Sequence, residues 1–264
     1  MERAALGDVG GNYQWLSITR QSAGSLELFA AVVADICGLV ISLASSAEDI
    51  VYQRLLGRVR GWQEFMRRGA EGLSAEAELG LVGEIHVLRD ILDEGIPLFT
   101  AVDCWKGPLD GLHDFRFGSG AIEIKSTLAA EGFPIRIASL EQLDDARCAP
   151  LHLCALRFAQ DNAGASLPDL VTQMRERLDP DPAALAMFEQ ALNQVGYLDM
   201  HGEGYTRRFS VVEVRFHLVN GDFPRLTPCH VPLAVRRASY DIELGLVPAG
   251  KDNLAAVLAQ LGAV

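Results

Sequence analysis

Asp114, Glu123 and Lys125 have the residue types and the spacing to form one charged surface. They lie in the stretch 114–125, DFRFGSGAIEIK, where two short alternating runs flank a Gly-Ser pair. Such a pair between alternating runs predicts a two-residue hairpin turn of type II′. Directly opposed residues of a hairpin share a face, as do alternate residues of one strand. The three charged side chains are therefore expected on one face of the hairpin.

The opposite face of the predicted hairpin is apolar. The two-residue loop pairs Phe117 with Gly120 and Phe115 with Ile122, and Ile124 continues the same face. A strand pair with one wholly apolar face packs that face against a core. We therefore expect the hairpin to belong to the central sheet of a domain.

Two carboxylates and one ammonium on a shared face suit a divalent-metal hydrolase. Carboxylates bind a hard cation through oxygen, and the cation lowers the pKa of a bound water and stabilises charge on a phosphoryl oxygen. The lysine can orient that water or neutralise developing negative charge. The alternative is a solvated charged surface, as for most charged residues. Lysine occurs only at 106, 125 and 251, whereas arginine is common, so an ordinary surface of this chain would carry arginine instead.

A third acidic residue lies on a predicted helix upstream of the hairpin. Residues 74–93 have helical periodicity with Ser74 as the expected N-cap, and Glu84 lies at the edge of the apolar stripe. A carboxylate at a buried edge is costly unless it meets a cation, a donor or a metal. Glu84 is therefore either part of a metal site or the partner of a nearby arginine. The stripe consists of Leu81, Ile85, Leu88 and Leu92.

The remaining elements are predicted from periodicity and composition. Ser139 and Gln142 have the spacing of a capping box, which predicts a helix beginning at Ser139. The order of elements between 74 and 158 is that of an α/β unit. Strands are expected at 13–20, 98–105, 151–158, 205–219 and 239–247, with a turn at 106–108, and helices at 25–44, 46–68, 166–178, 182–194 and 251–262.

Composition limits the classes of protein to consider. The chain has 264 residues, 49% of them hydrophobic, and a net charge of −12, which argues against gripping nucleic acid by bulk electrostatics. Its five cysteines form no CxxC pair, and no nucleotide-binding or acyl-transfer motif is present. One arginine cluster is either a solvated helix face or a DNA-phosphate contact. It consists of Arg54, Arg58, Arg60, Arg67 and Arg68.

The amino-terminal region bears on where the protein is found. Glu2 and Arg3 lead into polar, Gly-rich sequence, which predicts no signal peptide. Residues 28–44 are strongly apolar but contain Asp35 and are shorter than the roughly 20 residues of a membrane span. A buried helix and a cytoplasmic protein are therefore expected.

The ordered set Glu84, Asp114 and Glu123-Ile-Lys125 resembles the PD-(D/E)XK nuclease superfamily. The flanking residues resemble the bacterial family of PD-(D/E)XK motif proteins, which is associated with restriction and phage-defence gene clusters. The similarity spans roughly residues 50–247, and the amino-terminal region is shorter than expected for that family. The residues that carry it are Gly80–Glu84, Trp105–Pro108, His113–Phe115, Glu123–Thr127, Ser139 with Gln142-Leu143, Gly196-Tyr197, Phe223-Pro224 and Tyr240.

The resemblance implies site residues. It makes Asp114 and Glu123 the metal-binding acids, Lys125 the catalytic lysine and Glu84 the helix acid that completes the metal site. Gln142 matches a glutamine near the site in relatives, and this role and the capping role stay open alternatives. A leucine and a histidine precede the aspartate where the superfamily often has proline. Asp110 would replace Asp114 as the metal-binding acid if the register of the first strand were different. His113 either points to the other face of the strand, which is favoured, or takes part in catalysis.

The resemblance also implies a fold. We expect an α/β restriction-endonuclease-like core, a mixed central sheet flanked by helices in the order α-β-β-β-α-β. This core is expected at 73–160, after an amino-terminal strand and helices at 1–72. A carboxy-terminal α+β extension, continuous with the core, is expected at 161–264.

The implied activity is that of an endonuclease that depends on Mg²⁺ or Mn²⁺ and hydrolyses DNA, in a restriction or phage-defence system. The alternative is a catalytically silent scaffold subunit of a defence complex. Expected partners are DNA, with methyltransferase, helicase or ATPase subunits and a homodimer as open alternatives. No membrane partner is expected.

Overall fold

The computed structural model describes residues 17–20, 26–43, 51–52, 55–56, 58–59, 62, 72–109, 111–250 and 252–263. The chain divides into two compact units, Met1–Ala70 and Glu71–Val264. The expected core at 73–160 and the expected extension at 161–264 thus lie in the same unit.

The first unit contains helix α1, Leu26–Ser42, close to the predicted range of 25–44. Described residues between 51 and 62 are helical too, as predicted. Residues 17–20 are not in a strand, and the rest of the strand predicted at 13–20 is outside the described residues. Burial of α1 was overestimated, because Val32 is buried but Leu26 and Ile41 are exposed. No helix in the described part of the chain is long and apolar enough to cross a membrane.

One member of the arginine cluster has a local partner. Arg58 Nη1 lies 2.6 Å from Asp35 Oδ1, and Trp62 Nε1 donates to Asp35 Oδ2 at 2.8 Å. Arg58 is therefore used inside the first unit. The other four arginines of the cluster lie outside the described residues.

The second unit is built on a mixed four-stranded sheet. Its strands are β1 (Phe115–Phe117), β2 (Gly120–Thr127), β4 (Leu151–Ser166) and β5 (Arg208–Leu218), in the order β1-β2-β4-β5. The β1–β2 and β4–β5 pairs are antiparallel, and β2–β4 is parallel. A second sheet joins β3 (Pro134–Ile137) to β6 (Tyr240–Glu243) in antiparallel fashion. The mixed central sheet agrees with the restriction-endonuclease-like fold that was expected.

The described part of the second unit contains five α-helices. They are α2 (Ala75–Asp93), α3 (Leu98–Cys104), α4 (Leu167–Leu178), α5 (Pro182–Val195) and α6 (Leu254–Gln260). Ser74 caps α2 as predicted, its Oγ accepting from Ala77 N at 3.2 Å. The helices predicted at 166–178, 182–194 and 251–262 are confirmed within a few residues, as are the strands predicted at 205–219 and 239–247.

The hairpin has the predicted register. Phe115 opposes Ile122 and Phe117 opposes Gly120. Gly118 has φ +54°, the positive value that the first central position of a type II′ turn requires. The register was predictable because a two-residue loop fixes it locally.

Two local predictions were wrong, and one strand was missed. Of residues 98–105, which were expected as a strand, 98–104 form α3 instead. Residues 139–147 form turns and bends, not a helix begun by Ser139. The parallel crossover from β2 to β4 runs through β3, a strand that was not predicted. β3 is short, and its partner β6 comes from the distant carboxy-terminal region, so no local pattern identified it.

The central sheet has an apolar core on each face. Alternate β4 residues, Cys154 and Leu156, pack with β2 residues Ile122 and Ile124 and with the helices α2, α4 and α5. The other face of β4 packs against β3, and its cluster includes Leu151, Leu153, Phe133, Ile135 and Ile137. Because both faces are covered, β2 is held rigidly at the centre of the domain.

Two glycines of α2 should respond in opposite ways to alanine. A Cβ at Gly83 would overlap Ser126 Oγ of β2, whereas a Cβ at Gly80 would meet nothing within 4 Å. We expect Gly83→Ala to cost about 1–3 kcal/mol of unfolding free energy through overpacking. We expect Gly80→Ala to stabilise the helix by up to about 1 kcal/mol. Urea unfolding followed by circular dichroism measures both, and equal effects would contradict the close approach of α2 to β2.

Candidate active site

The candidate site forms where β1 and β2 separate. β1 pairs with residues 120–122 only, so the next part of β2 has no partner strand on that side. Asp114 lies just before β1, and its Oδ2 accepts from Ile124 N at 2.6 Å. The aspartate side chain thus occupies the position that a longer β1 would have taken. A carboxylate is in this way fixed beside the middle of β2.

Glu123 and Lys125 project from the same face of β2, as predicted. Lys125 Nζ lies 2.7 Å from Glu123 Oε1. Glu123 is 2% exposed and the Lys125 side chain 15% exposed, so the ion pair is largely removed from water. A buried charged pair keeps its geometry better than a solvated one, which favours a functional surface over an ordinary polar one.

Glu84 reaches the site from α2. Its Oε2 accepts from Trp105 Nε1 at 2.7 Å, so its partner is an indole and not the arginine that was the alternative. Trp105 is 1% exposed and its ring packs 5.7 Å from that of Phe188. A rigid donor on a packed ring fixes the direction of the Glu84 carboxylate.

Gly107 lies between two of the carboxylates. A Cβ at Gly107 would be 2.7 Å from Asp114 Oδ1 and 2.7 Å from Glu84 Oε2. The two oxygens are therefore at most twice that distance apart. The backbone of the same turn holds the aspartate, because Lys106 N and Gly107 N donate to Asp114 O at 2.7 and 3.0 Å. Only glycine leaves room for both carboxylates here.

Three carboxylates share one ammonium in this site. Burial raises the pKa of Glu84 well above its ordinary value, and the charge of Asp114 adds to the effect. Burial raises the pKa of Asp114 too, against the opposing effects of Lys125 and of the Ile124 N–H. Burial and Asp114 together raise the pKa of Glu123 to about 8, although Lys125 acts to lower it. If all three carboxyls were ionised, the site would hold more negative charge than Lys125 can balance, and because burial makes such a charge costly their pKa values are raised.

Lys125 remains a cation in this setting. Burial lowers the pKa of its ammonium, but the ion pair with Glu123 and the charges of Asp114 and Glu84 raise it further, and the net change is upward. The lysine is therefore a proton donor and a positive charge at neutral pH, not a base.

A comparison with protein families identifies the group to which this arrangement belongs. A family model described as "Putative PD-(D/E)XK family member, (DUF4420)" matches residues 2–245. The chain belongs to this family. Comparisons with curated proteins and with solved structures give no match.

Membership in the PD-(D/E)XK group raises the question of whether the site fits a divalent metal. Among the described residues, no three histidine, cysteine, aspartate or glutamate side chains are grouped at metal-binding spacing. The chemistry of the donors nevertheless fits a hard cation, because Glu84, Asp114 and Glu123 offer carboxylate oxygens, and a cation would favour their ionised forms. Their raised pKa values report the cost of ionising them in this site, which a bound cation would relieve.

Two of the other candidate residues, Gln142 and His113, contact each other. Gln142 Oε1 accepts from Ala138 N at 2.8 Å, so the amide fastens a local turn, and its role in the site stays a prediction. His113 Nε2 lies 3.2 Å from Gln142 O, and its ring also contacts Cys148 Sγ, so its recorded contacts are not with the carboxylates. Asp110 lies outside the described residues.

Trp105 and Gly107 are the site residues to which sequence reasoning gave no role. Both are in the segment 105–108 that contributed to the family resemblance. A tryptophan two residues before a glycine, at the start of a short turn, was the available signal. Their contact with Glu84 became visible only with α2 and the turn placed together.

Trp105→Phe should shift the ionisation of Glu84. The phenylalanine ring keeps the packing against Phe188 but removes the N–H that stabilises the charged carboxylate. The pKa of Glu84 should therefore rise further, and any activity that needs ionised Glu84 should begin at higher pH. A pH–rate profile measures the shift of the acidic limb. An unchanged profile would show that the indole donor does not tune Glu84.

Proposed function

We propose that this protein is a metal-dependent endonuclease that hydrolyses phosphodiester bonds of DNA. The observation that carries the proposal is the convergence of Glu84, Asp114 and Glu123 around the single ammonium of Lys125. Membership in a PD-(D/E)XK family supports a nuclease-like function for the same residues. The restriction or phage-defence context, and partner subunits that deliver DNA to an acidic chain, are supported by the family resemblance and belong to the proposal.

The three carboxylates would hold Mg²⁺ or Mn²⁺. When bound, such a cation supplies an acidified water and positive charge for a phosphoryl oxygen. Asp114 and Glu84 are fixed by hydrogen bonds to Ile124 N and Trp105 Nε1, so they do not have to reorganise on binding. Preorganised groups of this kind make the larger electrostatic contribution to catalysis.

In the proposed reaction, Lys125 would act on the attacking water or on the phosphate. Its ammonium is protonated and directed at Glu123 Oε1. From this position it can orient the attacking water or stabilise charge that develops on the phosphate. Because the ammonium is buried, its charge is screened less by solvent and is more effective than on a surface.

The direct test is cleavage by purified protein. Supercoiled and linear DNA are incubated with wild type, with and without Mg²⁺ or Mn²⁺, and with an excess of EDTA. Metal-dependent nicking or linearisation is expected. Cleavage that survives the double replacement Asp114→Ala and Lys125→Ala would identify a contaminating nuclease and overturn the proposal.

Metal binding should release protons. Glu123, with a pKa of about 8, holds a proton for much of the time at pH 7, and a carboxylate must lose its proton to bind a cation. The affinity for Mn²⁺ should therefore rise between pH 6 and 8. Titration calorimetry in two buffers of different ionisation enthalpy measures the protons released. Glu123→Gln should release fewer, and pH-independent binding would contradict the assignment.

The scaffold function remains the second candidate. It is favoured by the net charge of −12, and by the lack of a preformed three-ligand group in the described part of the chain. The same Mn²⁺ titration discriminates between the two functions. Binding that Glu123→Gln weakens supports the nuclease, whereas no site-dependent binding supports the scaffold.

A further inference from the structure

One exposed loop of the second unit is basic although the chain is acidic. Residues 227–239 contain no aspartate or glutamate, but they include two arginines and a histidine. Arg236 and Arg237 are exposed, and neither has an ion-pair partner among the described residues. We call residues 227–239 the basic loop. The positive charge of this loop is therefore available to bind an anionic ligand.

The base of the basic loop is closed by one side chain. Tyr240, the first residue of β6, accepts from Leu226 N through its hydroxyl at 2.9 Å and donates to Leu226 O at 3.2 Å. Inside the loop, Thr227 is 1% exposed, and its Oγ1 lies 3.1 Å from His230 Nδ1. The loop therefore begins and ends at a fixed point, from which its tip projects.

Hydrogen bonds connect this base to the segment that leads into Asp114. Arg225 donates to Leu143 O at 2.7 Å and to Asp145 Oδ1 at 2.9 Å. The residue before Leu143 is Gln142, whose carbonyl contacts His113, and His113 directly precedes Asp114.

Packing gives a second link between the loop and the site. Tyr240 pairs with Ile137 of β3. It packs against the apolar cluster that contains Ile137 and, from β2, Ala121. The tyrosine that closes the loop therefore lies against the sheet face from which Glu123 and Lys125 project.

The tip of the basic loop exposes apolar side chains next to its arginines. Leu233 is 95% exposed and Val235 is 40% exposed. Arginine binds phosphate oxygens, and proteins that enter a DNA groove often insert an apolar side chain beside such contacts. A duplex carries one negative charge for each ~1.7 Å of its length, which complements a loop without acids.

We propose that the basic loop binds duplex DNA next to the active site, with Arg236 and Arg237 on phosphates and Leu233 in the groove. The inference rests on the proposed function, because it supplies the DNA contact that the acidic remainder of the chain lacks. The inference also specifies double-stranded DNA as the substrate, because a groove exists only in a duplex.

Equilibrium binding tests the proposal with a matched control. Fluorescence anisotropy of a labelled duplex is measured in EDTA over a range of salt for wild type, Arg236→Ala/Arg237→Ala and Arg89→Ala/Arg177→Ala. The control removes the same two charges from α2 and α4, where Arg89 and Arg177 pair with Asp90 and Asp93. The loop variant should bind roughly tenfold more weakly, with a salt slope smaller by about 2, and the control should bind as wild type.

A variant that changes no charge tests the apolar contact of the loop separately from its phosphate contacts. Leu233→Ala should weaken duplex binding without changing the salt slope, because no phosphate contact is lost. Sedimentation of the free protein is measured in parallel. Equal binding by loop variant and control would overturn the inference. So would a change from dimer to monomer in the loop variant with unchanged DNA affinity, which would identify the loop as a self-association surface.

Failure of the loop inference can be distinguished from failure of the proposed nuclease function. If wild type binds the duplex through the loop but never cuts it with any metal, the proposed nuclease function fails and the loop inference stands. If cleavage depends on Lys125 but not on the loop variants, in rate or in KM for the duplex, the loop inference fails alone.

Discussion

Replacing Lys125 by alanine is expected to lower the rate of DNA cleavage by roughly two to four orders of magnitude. This is the usual loss when a positioned proton donor or a preorganised charge is removed from an active site. The ammonium also balances three carboxylates, and Glu123 lies 2.7 Å from it. The variant should therefore lose catalysis and raise the pKa values of all three acids. Single-turnover cleavage of a labelled duplex in Mg²⁺ measures the rate.

The difference in folding stability between Lys125→Ala and wild type should depend on pH. A buried acid whose folded-state pKa is raised costs stability as pH rises from its unfolded value towards its folded value. For Glu123 this interval runs from about 4.5 to about 8 in wild type, and it extends upward without Lys125. The additional cost therefore accrues above pH 8, so Lys125→Ala should lose stability relative to wild type mainly between about pH 8 and 10, and the effect of Glu123 should differ little between the two at pH 5. Thermal unfolding across this range, together with the pH of the cleavage assay, checks that the assay uses folded protein.

Lys106→Ala provides the matched control for charge. Its ammonium pairs with Asp103 Oδ1 at 2.9 Å on the surface, so the change removes one lysine charge outside the carboxylate cluster. It should retain wild-type cleavage. Lys125→Arg keeps the charge but changes its shape, and it should be folded yet slow. Wild-type rates in Lys125→Ala would rule out a catalytic role for this lysine.

Gly107→Ala is expected to impair the site as severely as loss of a charged residue. The added Cβ would lie 2.7 Å from oxygens of both Asp114 and Glu84. One of the two carboxylates must move, and a displacement of about 1 Å in an active site can cost a factor of about 100 in rate. We expect weaker Mn²⁺ binding and about 100-fold slower cleavage.

A second glycine shows whether this loss is specific. Gly204→Ala makes the same chemical change at a position where the Cβ meets nothing within 4 Å. It should bind Mn²⁺ and cleave DNA as wild type does. If Gly107→Ala binds Mn²⁺ with wild-type affinity, the two carboxylates do not act together on one cation.

The parts of the site that sequence predicted are those fixed by local geometry. The face shared by Glu123 and Lys125 follows from strand alternation, and the register of the hairpin follows from its two-residue loop. Helix α2 was predictable because its N-cap and its apolar stripe agree. These elements carry Glu84, Asp114, Glu123 and Lys125, so the residues of the site could be proposed before their distances were known.

The failures have physical causes too. The segment 98–104 is short and apolar, and a short apolar run does not distinguish a strand from a buried helix. The capping-box spacing of Ser139 and Gln142 predicted a helix, but Gln142 bonds Ala138 N and closes a turn. β3 depends on a partner strand from the other end of the unit. The contact of Trp105 with Glu84 required α2 and the turn to be placed together, which neither segment specifies alone.

The late position of β5 in the chain has a consequence for protein synthesis. All residues of the proposed site precede β4, yet β4 is covered on its outer edge by β5, which follows α4 and α5. The carboxylates and the lysine therefore emerge from the ribosome well before β5, the strand that completes their sheet. The long edge of β4 has no partner during this interval and is a target for mispairing. A nascent chain of this kind holds every side chain of the proposed site before it has the framework that positions them, so any activity of the site must wait until β5 has been synthesised.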